Sequence, residues 1–148
     1  MIFYKNNAYP EVCLHDCNFQ IKTIDNKIQF VFPEGVAVVD NEKIDWSVKG
    51  MIQISDCSID EITINSIKPF NFFGIHRMIA KEISLQELNE IFQRGGFLQV
   101  FDECYSYGRF IWKCAIYPYK SNKKFVQKYG EIEISAFTES PLEYYLDK

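Results

Sequence analysis

The chain has 148 residues, 47% hydrophobic and 24% charged, which suits a single domain, 1–148, and excludes a disordered tail, a collagen-like rod and a coiled coil. Its 16 Lys and Arg against 20 Asp and Glu give a net charge of −4, unlike the basic balance of a phosphate-neutralising nucleic-acid binder. Aromatic residues reach 16%, and aromatics fit pleated, half-buried surfaces, so a sheet-rich fold is expected.

The period of the apolar residues is two along most of the chain. Cys17, Phe19, Ile21 and Thr23 alternate with Asn18, Gln20 and Lys22, and Ile28, Phe30 and Phe32 alternate with Lys27 and Gln29. Asp25-Asn26 between them supplies turn chemistry, which predicts a hairpin over 17–32. Pro33-Glu34-Gly35 reads as a turn, 36–39 as a short strand and 40–45 as a polar loop leading to Trp46. Segments 47–56 and 60–67 alternate and are predicted to pair, with Gly50 a bulge and Pro69 closing the unit. A further strand is predicted over 72–83, weakened by Gly74.

One helix is predicted, over 84–94. Ser84 is its N-cap and Glu87 completes a capping box. Leu85, Leu88, Ile91 and Phe92 share one side, and Gly95-Gly96 stops the helix because Gly takes the left-handed C-terminal position freely. Strands follow over 97–104 and 109–117, joined at 105–108. Glu131 to Ala136 is the cleanest alternation, and Ser140-Pro141 predicts a short C-terminal helix. The expected class is α+β, mostly β: eight or nine strands in an antiparallel sandwich or strongly curved sheet with one packed helix.

Reactive side chains are sparse. In Cys13-Leu14-His15-Asp16-Cys17, an extended backbone would turn Cys13, His15 and Cys17 to one side as zinc ligands. The Cys-x3-Cys spacing is not that of a zinc knuckle, so no metal or cofactor is expected. His15 and Asp16, as strand neighbours, would point apart, so a structural role tying neighbouring amides is expected rather than a base and its orienter. The five cysteines, an odd number, are read as reduced thiols of a cytoplasmic protein, with no signal peptide and no stretch near the ~20 apolar residues of a membrane span. The lysines at 120, 123, 124 and 128 read as a solvated loop.

The interaction candidates are carboxylates and aromatics. Asp102-Glu103 and the pair Glu131 and Glu133 form paired carboxylates, and residues 131–148 are acidic. An acidic edge meets a basic partner and mainly raises the association rate. Trp46, Tyr117, Tyr119, Tyr144 and Tyr145 stand near segment ends, where aromatics anchor protein interfaces.

Leu14-His15-Asp16-Cys17, running directly into the Phe19/Ile21 strand, Asp25-Asn26 and Ile28/Phe30/Phe32, resembles a loose group of small bacterial proteins. They open with a Leu-His-Asp-(Ser/Cys) step into a β-hairpin, and some are regarded as immunity proteins of polymorphic toxin systems. The resemblance covers about 20 residues and carries over no catalytic residue. It implies a stoichiometric binder of another protein, such as a basic toxin domain. The competing expectation is an enzyme or small-ligand protein with an aromatic-lined pocket on which His15, His76 and Cys104 converge. A weaker one is single-strand nucleic-acid binding through stacked aromatics.

Overall fold

The computed structural model describes residues 2–5, 12–25, 27–40, 43–54, 61–106, 109–117, 129–137 and 142–146. Alternation along each segment builds eleven strands: β1 (Ile2–Lys5), β2 (Val12–Cys13), β3 (Asn18–Ile24), β4 (Lys27–Asp40), β5 (Lys43–Ile54), β6 (Ile62–Phe72), β7 (Ile75–Glu82), β8 (Phe97–Ser106), β9 (Arg109–Tyr117), β10 (Glu131–Phe137) and β11 (Glu143–Leu146). The helix α1 (Leu85–Gln93) lies between β7 and β8. The strands form one antiparallel sheet in the order β1-β11-β5-β4-β3-β8-β9-β10-β6-β7, with β2 pairing β4 beside this path.

The sheet curls because one face is apolar on nearly every strand. Its two halves join where Asn18 and Phe19 of β3 pair Gln99 and Leu98 of β8. From that joint the halves close over a shared core. Phe30 on β4 meets Trp112 and Phe110 on β9, with ring centroids 4.7 and 5.9 Å apart, and Phe19 stands edge-on to Trp112 at 5.8 Å. All four rings are at most 1% exposed. Each buried ring of this kind contributes about 1.5–3 kcal/mol, and the edge-to-face pairs add about 0.5–1.5 kcal/mol.

The helix forms where its caps place it. Ser84 Oγ accepts the Glu87 N–H at 3.1 Å, and Leu88, Ile91 and Phe92 turn to the core. At the other end Gly96 N–H donates to the Ile91 carbonyl and Gly95 N–H to that of Phe92, with Gly95 at φ 80°. That is a Schellman stop, which needs a left-handed residue where glycine stands. Glu87 is not left to solvent, because its Oε1 accepts the Tyr129 hydroxyl at 2.7 Å.

Several sequence expectations change. The 17–32 hairpin forms, with Ile24 opposite Lys27 and Asp25 left-handed. The expected turn at Pro33-Glu34-Gly35 is instead an irregularity inside β4, with register shifts at Phe32/Val36 and Val36/Val38. The expected loop 40–45 shrinks, since Asp40 already pairs Lys43. Segments 47–56 and 60–67 do not pair: β5 lies between β4 and β11, and β6 between β10 and β7. Pro69 does not end its strand. It sits inside β6 beyond the last β10 partner, Ile67, where a missing N–H is tolerated. The C-terminal helix is replaced by β11, because Leu142, Tyr144 and Leu146 are buried at a spacing of two. The described residues therefore form eleven strands, where eight or nine are expected from the sequence.

Candidate functional site

A bulge in β8 decides where the acidic side chains go. Val100 pairs Cys114 while Asp102 pairs Lys113, so one residue of β8 has no counterpart and the alternation flips. As strand neighbours Asp102 and Glu103 point to opposite faces and do not act as a carboxylate pair, and the flip sets which of them turns inward. Asp102 faces outward and its Oδ2 accepts from Lys113 Nζ at 3.1 Å. That hydrogen bond, then the Asp102 charge, raises the Lys113 pKa, with smaller pulls from Glu131 and Glu133.

Glu133 lies opposite Lys113 on the other side of β9, and Asn65 and Glu82 continue the same row across β6 and β7. Glu131 stands two residues along on the same face and is exposed. The outer face of this half-sheet thus sets Asp102, Glu131 and Glu133 about the Lys113 ammonium, with Glu82 on the same face three strands away. Arg109 stands at its far end, 4.9 Å over the Phe137 ring.

Glu103 faces inward. Its Oε1 accepts the Leu14 backbone N–H at 2.9 Å and its Oε2 the Tyr105 hydroxyl at 2.7 Å. Trp112 Nε1 donates in turn to the Tyr105 oxygen at 3.2 Å. Tyr144 hydrogen-bonds with Tyr105 and is 7% exposed, so it belongs to this interior network and not to a surface patch. Burial is the main cause that drives both phenols up, Tyr144 to about 12. Tyr145 is half-buried and donates to Glu143 Oε2 at 2.9 Å, which raises its pKa. Trp46 lies in β5 with its side chain outside the described residues.

The Leu14–Cys17 segment is a turn, not a strand. Cys17 N–H donates to the Leu14 carbonyl at 2.8 Å, with Asp16 left-handed at φ 63°. In this turn His15 Nδ1 and Asp16 Oδ2 do meet, at 3.1 Å, which corrects the expectation that they point apart. Both are more than half exposed. The turn is fastened to the β8 bulge: Asp16 N–H donates to the Val100 carbonyl at 2.7 Å and Val100 N–H to that of Cys17 at 3.1 Å. Backbone groups and Glu103 fasten this turn, and the His15 and Asp16 side chains pair with each other.

Cys17 Sγ rests against the Cys13 and His15 carbonyls, each at 3.7 Å, rather than turning with His15 to a common point. Burial raises the Cys17 thiol to about 11 and is the leading cause that raises Cys13 as well, which favours the neutral thiol at both. Among the described residues no three His, Cys, Asp or Glu side chains form a metal-holding group. His76 sits on the β6–β7 hairpin, 2.7 Å from Asn71, and Cys104 is exposed on the outer side of β8, so the polar groups expected to converge with His15 stand apart. One open depression of about 230 Å³ lies over Val31, Pro33, Lys49, Met51 and Tyr145. The lysines at 120, 123, 124 and 128, Tyr119 and Cys57 lie outside the described residues.

No family model, curated protein or solved structure matches this chain. No helix among the described residues is long and apolar enough to cross a membrane.

One feature had no clear signal in the sequence. Beyond Ile67 no described strand pairs the other side of β6, and the β6–β7 hairpin runs on alone to Phe73-Gly74. Every residue from Pro69 to Glu82 is exposed.

Proposed function

We propose that this chain is a stoichiometric binding protein that engages a basic protein partner, in the manner of an immunity protein that neutralises a toxin by contact. The observation that carries the reading is the outer row Asp102–Lys113–Glu133, flanked by Glu131 and Glu82. Carboxylates fixed on a rigid antiparallel face give a directed negative field, which speeds encounter with a cationic surface and rejects acidic ones. The interior chemistry supports contact over catalysis. Thiols at Cys13 and Cys17 are kept protonated, and Glu103 is committed to Leu14 and Tyr105.

Co-expression with the product of the adjacent gene tests the reading. A one-to-one complex and protection of the host are expected. Glu131→Lys with Glu133→Lys should slow association about tenfold or more at low salt while leaving dissociation nearly unchanged, as rim charges do. Absence of both complex and protection would reject the proposal.

A further inference from the structure

We propose that β7 is a docking edge for an extended strand of a partner protein, one that alternates apolar and acidic residues on one of its faces. This goes beyond the acidic outer face and does not rest on it. The hairpin extends five residue pairs past the end of β10, from Lys68↔Ile79 to Phe72↔Ile75, and among the described strands β7 ends the sheet with none paired on its outer side. Its eight pairs with β6 run without a bulge. No proline or bulge interrupts this edge; its charges, Arg77, Lys81 and Glu82, guard it against some strands and select the sign of one that pairs.

Register assigns the side chains. Phe70, Phe72, Ile75 and Ile79 share one face with Arg77 and Lys81, and that face carries no carboxylate. Lys68 stands on it as well. Phe72 is 58% and Met78 62% exposed, and Phe73 at the tip is 90% exposed. Phe73 is left-handed, φ 46°, where a bulky residue is an outlier, and its ring stands edge-on to Phe72 with centroids 4.5 Å apart. Strain kept with so much apolar surface in water points to use of that surface rather than to packing.

Three occupants can be compared on physical grounds. An open-edged hairpin entering a bilayer would carry unpaired backbone groups into hydrocarbon, at several kcal/mol each. A second copy is disfavoured by charge. A two-fold antiparallel β7–β7 pair sets like face against like face, and each central register then places Arg77 or Lys81 directly opposite or diagonal to Arg77 or Lys81 of the other copy. A partner strand of opposite sign meets neither difficulty. It completes the backbone ladder, sets apolar residues against Ile75 and Ile79, and sets carboxylates against Arg77 and Lys81.

The test titrates the full chain with an eight-residue peptide of alternating Ile and Glu on one face and Thr on the other, and with its Glu→Lys counterpart. Amide exchange and chemical shifts are read residue by residue. The Glu peptide is expected to perturb and protect Ile75–Glu82, at least tenfold more tightly than the Lys peptide, and Arg77→Glu with Lys81→Glu should reverse that order. The Glu131→Lys/Glu133→Lys chain should bind the Glu peptide as before, so failure of the acidic-face reading and failure of this one are separable. Equal binding of both peptides, binding of neither, or perturbation away from β7 overturns the proposal. So does release by Phe73→Asp from anionic phosphatidylserine vesicles or from oligo-uridine in the absence of peptide binding.

Discussion

Glu103 serves two donors from opposite directions. Leu14 is fully buried, so its N–H has no recourse to water if the carboxylate is removed. A buried donor left without an acceptor costs about 1–3 kcal/mol, and a hydrogen bond to a charged group contributes about 1.5–3 kcal/mol. Glu103→Ala should therefore lower unfolding stability by about 3 kcal/mol in a urea titration. Glu103→Gln keeps a carbonyl for Leu14 N–H and offers an amide to the Tyr105 oxygen, so its loss should be about 1 kcal/mol. Equal losses for the two variants would show that the site is merely packed. None of this was legible from Asp102-Glu103 as a dipeptide. The bulge between Val100 and Asp102 sets which carboxylate turns inward, and bulges leave no fixed mark in a pattern of two.

At the scale of elements, the Phe73-Gly74 turn departs from the residues its geometry favours. Both positions have positive φ, 46° and 77°, as in the tight two-residue turns that prefer Asn-Gly. Phe73→Asn should relieve the strain and raise stability by about 0.5–1 kcal/mol, read as a higher denaturant midpoint at unchanged slope. A fall in stability would mean that the Phe72–Phe73 contact outweighs the strain. The same geometry explains why the boundaries read from sequence, 60–67 and 72–83, miss the hairpin: its turn falls at Phe73-Gly74, inside the second segment. Gly74 belongs to the turn itself, and Pro69, opposite Met78, lies within the unbroken eight-pair register. The helix was legible because each of its signals is local: the Ser84 cap, the spacing of Leu88, Ile91 and Phe92, and the Gly95 stop. Strand pairing was not, because alternation fixes which face a residue takes but not which strand lies beside it. Thus 47–56 and 60–67 share a period and sit in different halves of the sheet.

At the scale of the whole molecule, the two half-sheets close on a core that takes neutral thiols and phenols along with its hydrocarbon. Burial is the leading cause that raises Cys17 from 9.0 to about 11 and Tyr144 from 10.0 to about 12, and it also drives Cys114 and Tyr105 up. These groups stay protonated in the fold at a pH where the unfolded chain already loses the proton. Above pH 9 the unfolded state binds fewer protons than the native one, so stability falls as pH rises. The stabilisation is complete below pH 9, begins to drain with the thiols, and drains faster above pH 10 as the phenols join. Each such group removes at most about 1.4 kcal/mol per pH unit over its window. Urea midpoints are therefore expected to be level between pH 7 and 8 and to drop progressively from pH 9 to 11. Cys114→Ala removes a fully buried thiol without a polar group in exchange, so it should lower the midpoint at pH 7 yet flatten the decline above pH 9. A midpoint that holds level to pH 11 in the parent chain would mean that the two halves do not close over these groups, and the shared core between β4 and β9 would have to be redrawn.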